Sequence, residues 1–472
     1  MPRPVADRSR IRLRPLSERR DGDDWVIGRP ETGDFIAAPD VAHRVLALLR
    51  EGHAVDHVAA RLRAETGKSF GVRSFVAALD DLGFVAAIDD DVRPDPVSPK
   101  PSLPWLRAAH VRWLLHPLTA AVAMAFVIVT AAALAWNHPL IPSYRMLVWN
   151  GHPGLVIAVD AAIAWTLILL HEVAHLAAAR ATGAPARITI STRLQFVTAQ
   201  TDVSGVWGAP RRHRMTVYLA GLGLDFVVVG TILLVLILAA PHGLARQLLC
   251  VAFAETLLVV PTQFMVFMRT DLYFVLQDLT RCANLYADGA AYLRHLMRRV
   301  IRRGAGADPD PSRDYPPPQR RAVRVYSAVL LAGTAVCLGV EFAVSFPALI
   351  ALLARAMAEI GVTALGTLDG AVLLAVLVAW QVLWCARWWD RHRGQVRLLT
   401  RNHQKGGADT WRSFPRFRRM TSSRRKARAC PSPSGNSTGW RRHSAAAPRA
   451  RNQAQPVAPA IPVPPAVGAR DP

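Results

Sequence analysis

The sequence predicts a mostly α-helical membrane protein with about six membrane-spanning helices and a small α+β domain near its N-terminus. Two observations support this prediction. Of the 472 residues, 51% are hydrophobic and only 19% are charged, a composition that excludes a disordered chain. Six segments each hold about 20 mostly apolar residues, the length that crosses a hydrocarbon core of about 30 Å.

The N-terminal part is predicted to be a small soluble domain of residues 24–92, preceded by a basic, disordered segment, residues 1–23. Two short apolar runs flank Glu31-Thr32-Gly33 and predict a β-hairpin. Apolar residues at helical spacing then predict three helices, the first capped by Asp40 and the third ended by Gly83. A closing strand is expected over residues 84–88, which gives the arrangement of a winged helix.

The membrane domain is predicted to cover residues 111–390, after a Pro-rich linker of residues 93–110. A further apolar stretch, residues 347–360, is short and carries Arg355 and Glu359, so we expect it to lie at the membrane interface rather than to span. The six predicted spans are residues 117–136, 154–180, 216–240, 244–268, 322–346 and 368–389.

The distribution of charge predicts a cell-membrane protein with both termini in the cytosol. The segments between spans alternate between Arg-rich and nearly Arg-free, and the Arg-rich ones are expected on the cytosolic side. Residues 391–472 hold 18 basic and two acidic residues; with their Pro and Ala content they predict a disordered, lipid-contacting tail. Residues 1–96 are slightly acidic, which argues against a nucleic-acid partner.

The second span contains His171-Glu172-Val173-Ala174-His175. Two imidazoles four residues apart share one face of a helix, about 6 Å from each other, so both can bind one metal ion. Glu172 is placed to accept a proton from a metal-bound water. Ionisable groups inside a lipid-spanning helix are costly unless they pair or bind something, so the motif predicts a zinc site with Glu172 as the catalytic base.

A third ligand is expected from another helix end on the cytosolic side, because His171 lies about 25 Å along its helix. Asp271 follows the fourth span within one turn and is the predicted ligand, although a carboxylate there also suits helix capping or pairing with Arg269. Asp278 is a weaker substitute. Asp369 is a competing carboxylate, but the predicted topology puts it at the opposite face of the membrane.

Four further acidic residues lie within the predicted spans. Asp160 shares a helical face with His171, and it either lines a water path or lies near the outer interface. Asp225, Glu255 and Glu341 are predicted to pair with Arg, Ser or backbone groups inside the bundle.

Residues 110–300 resemble the site-2 protease family of intramembrane zinc metallopeptidases, and within it the bacterial peptide zinc metalloprotease group. The resemblance implies that His171 and His175 bind zinc, that Glu172 is the catalytic base and that Asp271 is the third ligand. Three positions depart from the family pattern: Leu272 replaces a Gly, Leu222 replaces the Pro of Ala-Gly-Pro, and Asp225 stands where Asn is common. The motifs that carry the resemblance are His171-Glu172-Val173-Ala174-His175, Asp202-Val203-Ser204-Gly205-Val206-Trp207 followed by Arg211-Arg212-His213-Arg214, Leu219-Ala220-Gly221, and Asp271-Leu272-Tyr273-Phe274-Val275-Leu276-Gln277-Asp278.

Residues 24–92 resemble the PqqD-like winged helix that binds leader peptides in ribosomal-peptide maturation systems. The resemblance rests on the predicted hairpin, on Leu48-Leu49-Arg50-Glu51-Gly52 and on Leu79-Asp80-Asp81-Leu82-Gly83-Phe84-Val85. It implies that the domain captures an extended peptide as an added strand. A generic winged helix, which could bind DNA, is the alternative.

Together these features predict a membrane zinc endopeptidase that cleaves a peptide or membrane-associated protein near the cytosolic face. The N-terminal domain would hold the substrate or leader peptide, and peptide-export or maturation proteins are expected partners. Two alternatives stay open: a non-catalytic adaptor or exporter subunit with a structural metal site, and a membrane-tethered DNA-binding regulator.

Overall fold

The structure, a computed structural model, describes residues 5–22, 24–98, 100–136, 144–193, 196–282, 284–301, 310–313, 315–401 and 418–420. The described chain is mostly helical. The helices are α1 (Asp40–Arg50), α2 (Val55–Thr66), α3 (Val72–Asp81), α4 (Ala108–Val111), α5 (Pro117–Trp136), α6 (Pro153–Ala181), α7 (Arg211–Leu238), α8 (Gly243–Gln263), α9 (Asp271–Leu279), α10 (Leu285–Ile301), α11 (Pro317–Val340), α12 (Phe346–Glu359) and α13 (Ala364–Arg401).

Within the described residues the strands form three separate antiparallel sheets, with orders β1-β5-β6, β2-β3-β4-β9 and β7-β8. The last sheet is a hairpin between α6 and α7 along the chain. The strands are β1 (Ile11–Leu13), β2 (Ser17–Asp21), β3 (Asp24–Arg29), β4 (Asp34–Ala38), β5 (Val85–Ile88), β6 (Asp91–Val92), β7 (Arg187–Arg193), β8 (Phe196–Asp202) and β9 (Arg418–Met420).

The N-terminal region has the predicted hairpin, three helices and closing strand. The apolar faces of α1, α2 and α3 pack with β3, β4 and β5 into one core, in which Val45, Leu79 and Phe84 are fully buried. Asp40 begins α1 without capping it, because Pro39 holds the N-cap position. The Asp40 carboxylate accepts a hydrogen bond from the Trp25 indole instead.

The prediction that residues 1–23 are disordered is wrong for much of that segment. Strand β2 pairs with β3 from Ser17↔Gly28 to Asp21↔Asp24, and β1 pairs with β5. The pattern was missed because β2 is almost entirely polar. Its pairing depends on backbone hydrogen bonds to a neighbouring strand, and these need no apolar side chains.

The predicted disordered tail, residues 391–472, is also partly wrong. Helix α13 continues to Arg401, and β9 pairs antiparallel with β4. The extension of α13 needs no new nucleus, and residues 390–401 contain no proline, so propagation continues beyond the apolar segment. The other tail residues lie outside the described part of the chain.

Six helices of the described chain are long and apolar enough to cross a membrane, which agrees with the predicted number. One of them differs from the prediction, because α11 and α12 join through a π-helical turn, Glu341–Ser345, into one continuous helix. The prediction ends the span at residue 346 and treats residues 347–360 as a separate stretch. The wide turn accommodates Pro347, which lacks an N–H and crowds the preceding turn. An interfacial position for residues 347–360 stays a prediction. The six helices are Pro117–Trp136, Pro153–Ala181, Arg211–Leu238, Gly243–Gln263, Pro317–Glu359 and Ala364–Asp390.

The linker is held against the helical domain. The Ser102 backbone N–H donates to the Ala186 carbonyl at 3.2 Å, and the Ser102 hydroxyl accepts the Ile188 N–H at 3.1 Å. Arg180, in the last turn of α6, donates to the Ser102 carbonyl at 3.1 Å. The segment that joins the two domains therefore contacts the end of α6 and strand β7.

Strands β3 and β4 of the N-terminal domain are buried on both faces. Side chains alternate along a strand, so Ile27 and Ile36 enter the domain core while Val26 and Phe35 face the opposite way and pack on Trp207. Trp207 belongs to a 3₁₀ turn, Ser204–Gly208, just before α7. The N-terminal domain is thus docked on the chain that leads from β8 into α7.

A buried arginine joins this interface to the helices. The Arg214 side chain is 1% exposed and donates to both carboxylate oxygens of Asp278, at 2.7 and 2.9 Å, and to Asp21 Oδ2 at 2.9 Å. Burial raises the pKa of Asp21, but Arg214 and Arg19 outweigh it and hold that pKa below 3.8. Asp21 is therefore ionised at neutral pH, and one guanidinium connects β2, α7 and α9.

We expect Asp278→Ala to lower the free energy of unfolding by about 3 kcal/mol. The buried Arg214 guanidinium would then keep only Asp21, whose carboxylate is partly exposed, as its counter-charge. The change is measured as a drop in the thermal midpoint of the protein in detergent. Asp310→Ala is the matched control, since its pair with Arg324 is much more exposed, at 26% and 46% of the two side chains, and is worth about 1 kcal/mol. Equal midpoints for the two variants would contradict the role of Arg214.

Candidate metal centre

Helices α6 and α9 bring three potential metal ligands together. His171 and His175 lie one turn apart on α6, and Asp271 is the first residue of α9. The Nε2 atoms of His171 and His175 are 3.1 Å apart, and they lie 2.9 and 3.0 Å from Asp271 Oδ2. These three residues form a cluster that could hold a metal ion, which is where the sequence prediction placed the site.

The turn after α8 delivers Asp271 to α6. Helix α8 ends at Gln263, earlier than predicted, and a 3₁₀ turn, Val266–Met268, follows it. Arg269 then adopts the left-handed conformation with φ 61°. The Gln263 side chain accepts the Asp271 backbone N–H at 3.2 Å. The start of α9 is therefore tied to the end of α8.

Hydrogen bonds behind the cluster determine which atoms face it. His175 Nδ1 lies 2.7 Å from the Val217 carbonyl oxygen, which only accepts, so Nδ1 carries the proton. His171 Nδ1 lies 2.7 Å from Asp225 Oδ2 and carries its proton for the same reason. Both Nε2 lone pairs then face each other and the Asp271 carboxylate. Three acceptors converging in a buried site are unfavourable unless a cation or a proton lies among them.

The spacing of the three atoms suits a metal of the size of zinc. Tetrahedral Zn²⁺ with bonds of about 2.0–2.1 Å places neighbouring ligand atoms roughly 3.3 Å apart. The observed separations of 2.9–3.1 Å are only a few tenths shorter. A small outward rotation of the side chains would admit the ion, so the donor set fits it.

Gly221 on α7 leaves the space that the imidazoles occupy. A β-carbon built at this position would overlap the Nε2 atoms of both His171 and His175. The close approach of α6 and α7 at the cluster therefore requires glycine at position 221. The sequence motif Leu219-Ala220-Gly221 thus has a direct structural role.

Glu172 is buried beside the cluster and is held by strand β8. Its Oε2 accepts hydrogen bonds from the Thr201 backbone N–H and hydroxyl, both at 2.6 Å. The same hydroxyl lies 2.9 Å from the Glu172 carbonyl oxygen. Thr201 therefore sets the orientation of the carboxylate next to His171. Nothing in the sequence motif pointed to Thr201, since the contact joins residues 29 positions apart.

Asp369 lies at the other end of α6 from the cluster, as the predicted topology required. Its carboxylate oxygens accept the backbone N–H groups of Gly154 and Leu155, each at 3.0 Å. These groups belong to the first turn of α6, about 25 Å along the helix from His171. Asp369 therefore satisfies a helix N-terminus and takes no part in the cluster.

Other predicted pairings changed in the structure. Asp278 binds Arg214 rather than serving as a substitute ligand. The prediction that Asp225 pairs with Arg, Ser or backbone was wrong, because it orients His171; its position four residues after Gly221 on the same face of α7 was the available signal. Asp160 accepts the Trp149 indole N–H at 3.0 Å. The described residues supply no hydrogen-bond partner for the Oε2 atoms of Glu255 and Glu341.

Comparisons of the chain with protein-family models, curated proteins and solved structures found no match. The two family resemblances therefore stay predictions from sequence motifs.

We expect Asp271→Ala to abolish stable metal binding, because it leaves two ligands where three converge. The unchanged protein, purified in detergent with zinc, should hold about one equivalent by elemental analysis. Asp369→Ala is the control: it should retain the metal while losing about 1 kcal/mol of stability as a helix-terminus acceptor is removed. The reverse result would show that the cluster is not the metal site.

Gly221→Ala should also remove the metal, because the added methyl group would displace both imidazoles. Gly223→Ala, on the same helix, is the matched control, since its β-carbon would meet only Ala123 at 3.8 Å. Alanine is intrinsically favoured over glycine in a helix by about 1 kcal/mol, so a loss limited to position 221 reflects the site. Normal metal content in Gly221→Ala would disprove the close approach.

Proposed function

We propose that this protein is a membrane-embedded zinc endopeptidase that cleaves a peptide or membrane-associated protein. The observation that carries the proposal is the convergence of His171, His175 and Asp271, with Glu172 adjoining them on α6. Catalytic zinc sites have three protein ligands and keep a fourth position for water or substrate, whereas structural sites usually have four. The three-residue cluster favours catalysis over a purely structural metal.

The surrounding residues have separate roles in this proposal. His171, His175 and Asp271 would hold the ion, which supplies Lewis-acid polarisation and lowers the pKa of water to about 7. Glu172 would accept the proton of the attacking water and return it to the leaving amine. Asp225 and the Val217 carbonyl keep the imidazoles in the required tautomers.

The bilayer is the proposed environment of the helices. Their apolar surfaces are largely uncovered by protein. In the most apolar 18 residues of α5, for example, only 6% of the residues are buried. Leu118, Met124 and Ile128 on that helix are each more than half exposed, which suits contact with lipid. With the Arg-rich segments in the cytosol, the metal cluster would lie near the cytosolic face of the cell membrane.

The N-terminal domain is proposed to capture an extended peptide, the substrate or its leader. The outer edge of β4 supports this role because it already pairs with an extended segment, β9, from Phe35↔Met420 to Ala37↔Arg418. Strand addition of this kind is a common mode of peptide recognition. Since the domain is docked beside the β7-β8 hairpin, a captured peptide would be concentrated near the cluster.

The rival function is a non-catalytic adaptor or exporter subunit that keeps the same metal. We expect Glu172→Gln to retain zinc but to reduce peptide cleavage at least 10²-fold, since the amide cannot accept the proton. Cleavage is followed by mass spectrometry on a mixture of synthetic peptides of varied sequence, with metal content measured in parallel.

Glu359→Gln is the control for this experiment, because Glu359 pairs with Arg355 at the surface, far along the chain from the motif. It should cleave like the unchanged protein. Cleavage that is equal in Glu172→Gln, or absent from the unchanged zinc-loaded protein, would favour the adaptor.

A further inference from the structure

A cavity of about 270 Å³ lies between the two domains. One wall is the turn of the N-terminal hairpin, residues 30–33. The opposite wall is one face of the β7-β8 hairpin, and Met268 and Arg269 close one side. Arg269 is only two residues before Asp271, so the cavity adjoins the chain that carries the third ligand of the cluster.

The β7-β8 hairpin presents a polar face to the cavity. Successive side chains point to opposite faces of a strand, so every second residue of β7 lines the space. Thr201 lies between two lining residues of β8 and points the other way, to Glu172. One face of this hairpin therefore serves the metal cluster and the other faces the cavity. The lining residues of the hairpin are Arg187, Thr189, Ser191, Arg193, Gln200 and Asp202.

The cavity wall carries more positive than negative charge, because its lining holds Arg187, Arg193 and Arg269 against Glu31 and Asp202. Among the described residues, none forms an ion pair with Arg187 or Arg193. Asp202, opposite Arg187 in the strand register, accepts hydrogen bonds from the backbone N–H and hydroxyl of Ser204. Guanidinium groups bind carboxylates in paired hydrogen bonds, so a ligand that brings carboxylates would complement this wall.

The spacing of the two arginines indicates the shape of that ligand. They are six residues apart on an extended strand, which separates their α-carbons by about 20 Å. The hydroxyls of Thr189 and Ser191 lie between them. An extended peptide presents side chains at the same two-residue repeat, so it can match these positions along their whole length, whereas a single lipid headgroup spans only one of them.

We propose that this cavity binds an acidic, extended stretch of the peptide substrate between its capture by the N-terminal domain and its cleavage at the metal cluster. That this peptide is a substrate rests on the proposed function, whereas the binding of an acidic peptide does not. The route runs from residues 30–33, along β7, to Arg269 beside the start of α9.

The test measures binding of a fluorescein-labelled octaglutamate peptide to the full chain in detergent, by anisotropy, in the Glu172→Gln background so that no cleavage intervenes. Octalysine is the probe of opposite charge. The unaltered cavity should bind octaglutamate more tightly than octalysine. The double variant Arg187→Glu with Arg193→Glu should bind octaglutamate at least tenfold more weakly, and octalysine more tightly, than the unaltered cavity does. A purely structural role for the arginines would not reverse the charge preference.

Arg112→Glu with Arg212→Glu is the matched control, because it makes the same charge change at exposed positions outside the cavity lining. This variant should leave the affinities for both probes within about twofold of those of the unaltered cavity.

Equal affinity of the two probes for the unaltered cavity, or equal octaglutamate binding by both double variants, would overturn the proposal. Loss of co-purified anionic lipid in the cavity variant, with octaglutamate binding intact, would assign the arginines to lipid headgroups instead. Intact octaglutamate binding without peptide cleavage in the unchanged chain would contradict only the proposed function.

Discussion

The free-energy cost of burying unpaired hydrogen-bond acceptors is the main constraint on the candidate metal centre. Two imidazole nitrogens and a carboxylate oxygen meet within about 3 Å of one another, and the partners behind the rings force both lone pairs inward. Such an arrangement is stable only with positive charge among the three atoms. The glycine at position 221, the hydrogen bond from Asp271 to Gln263 at the end of α8 and the Asp225 contact all help to bring these groups together.

The same physical constraint operates at Arg214, where a cation rather than a set of acceptors is buried. Its guanidinium is shared by Asp21 and Asp278, so one side chain connects the N-terminal domain to α9. Helix α9 therefore contacts the docked N-terminal domain through Asp278 and Arg214, and it also carries Asp271, the proposed third ligand.

Much of the fold was predictable, because apolar content and periodicity report local structure directly. The six long helices and the hairpin, helices and closing strand of the N-terminal domain were all visible in this way. Strand β2 was missed since a polar strand paired to a neighbour leaves no apolar pattern, and the continuity of α11 and α12 was missed because a π-helical turn at a proline has no simple sequence signature.

The sequence by itself determined the two histidines and the glutamate of the motif, since residues one turn apart on a helix must share a face. The predicted topology also favoured Asp271 over Asp369. Tertiary structure decided the contacts of Asp271 with His171 and of Asp369 with Gly154, the partnership of Asp225 with His171 and of Thr201 with Glu172, and the cavity along β7. Each of these contacts joins residues 29 to 215 positions apart. Only the packing of α6 against α7, α9, α13 and the hairpin could bring them within hydrogen-bonding distance, because no local rule relates residues so far apart in the chain.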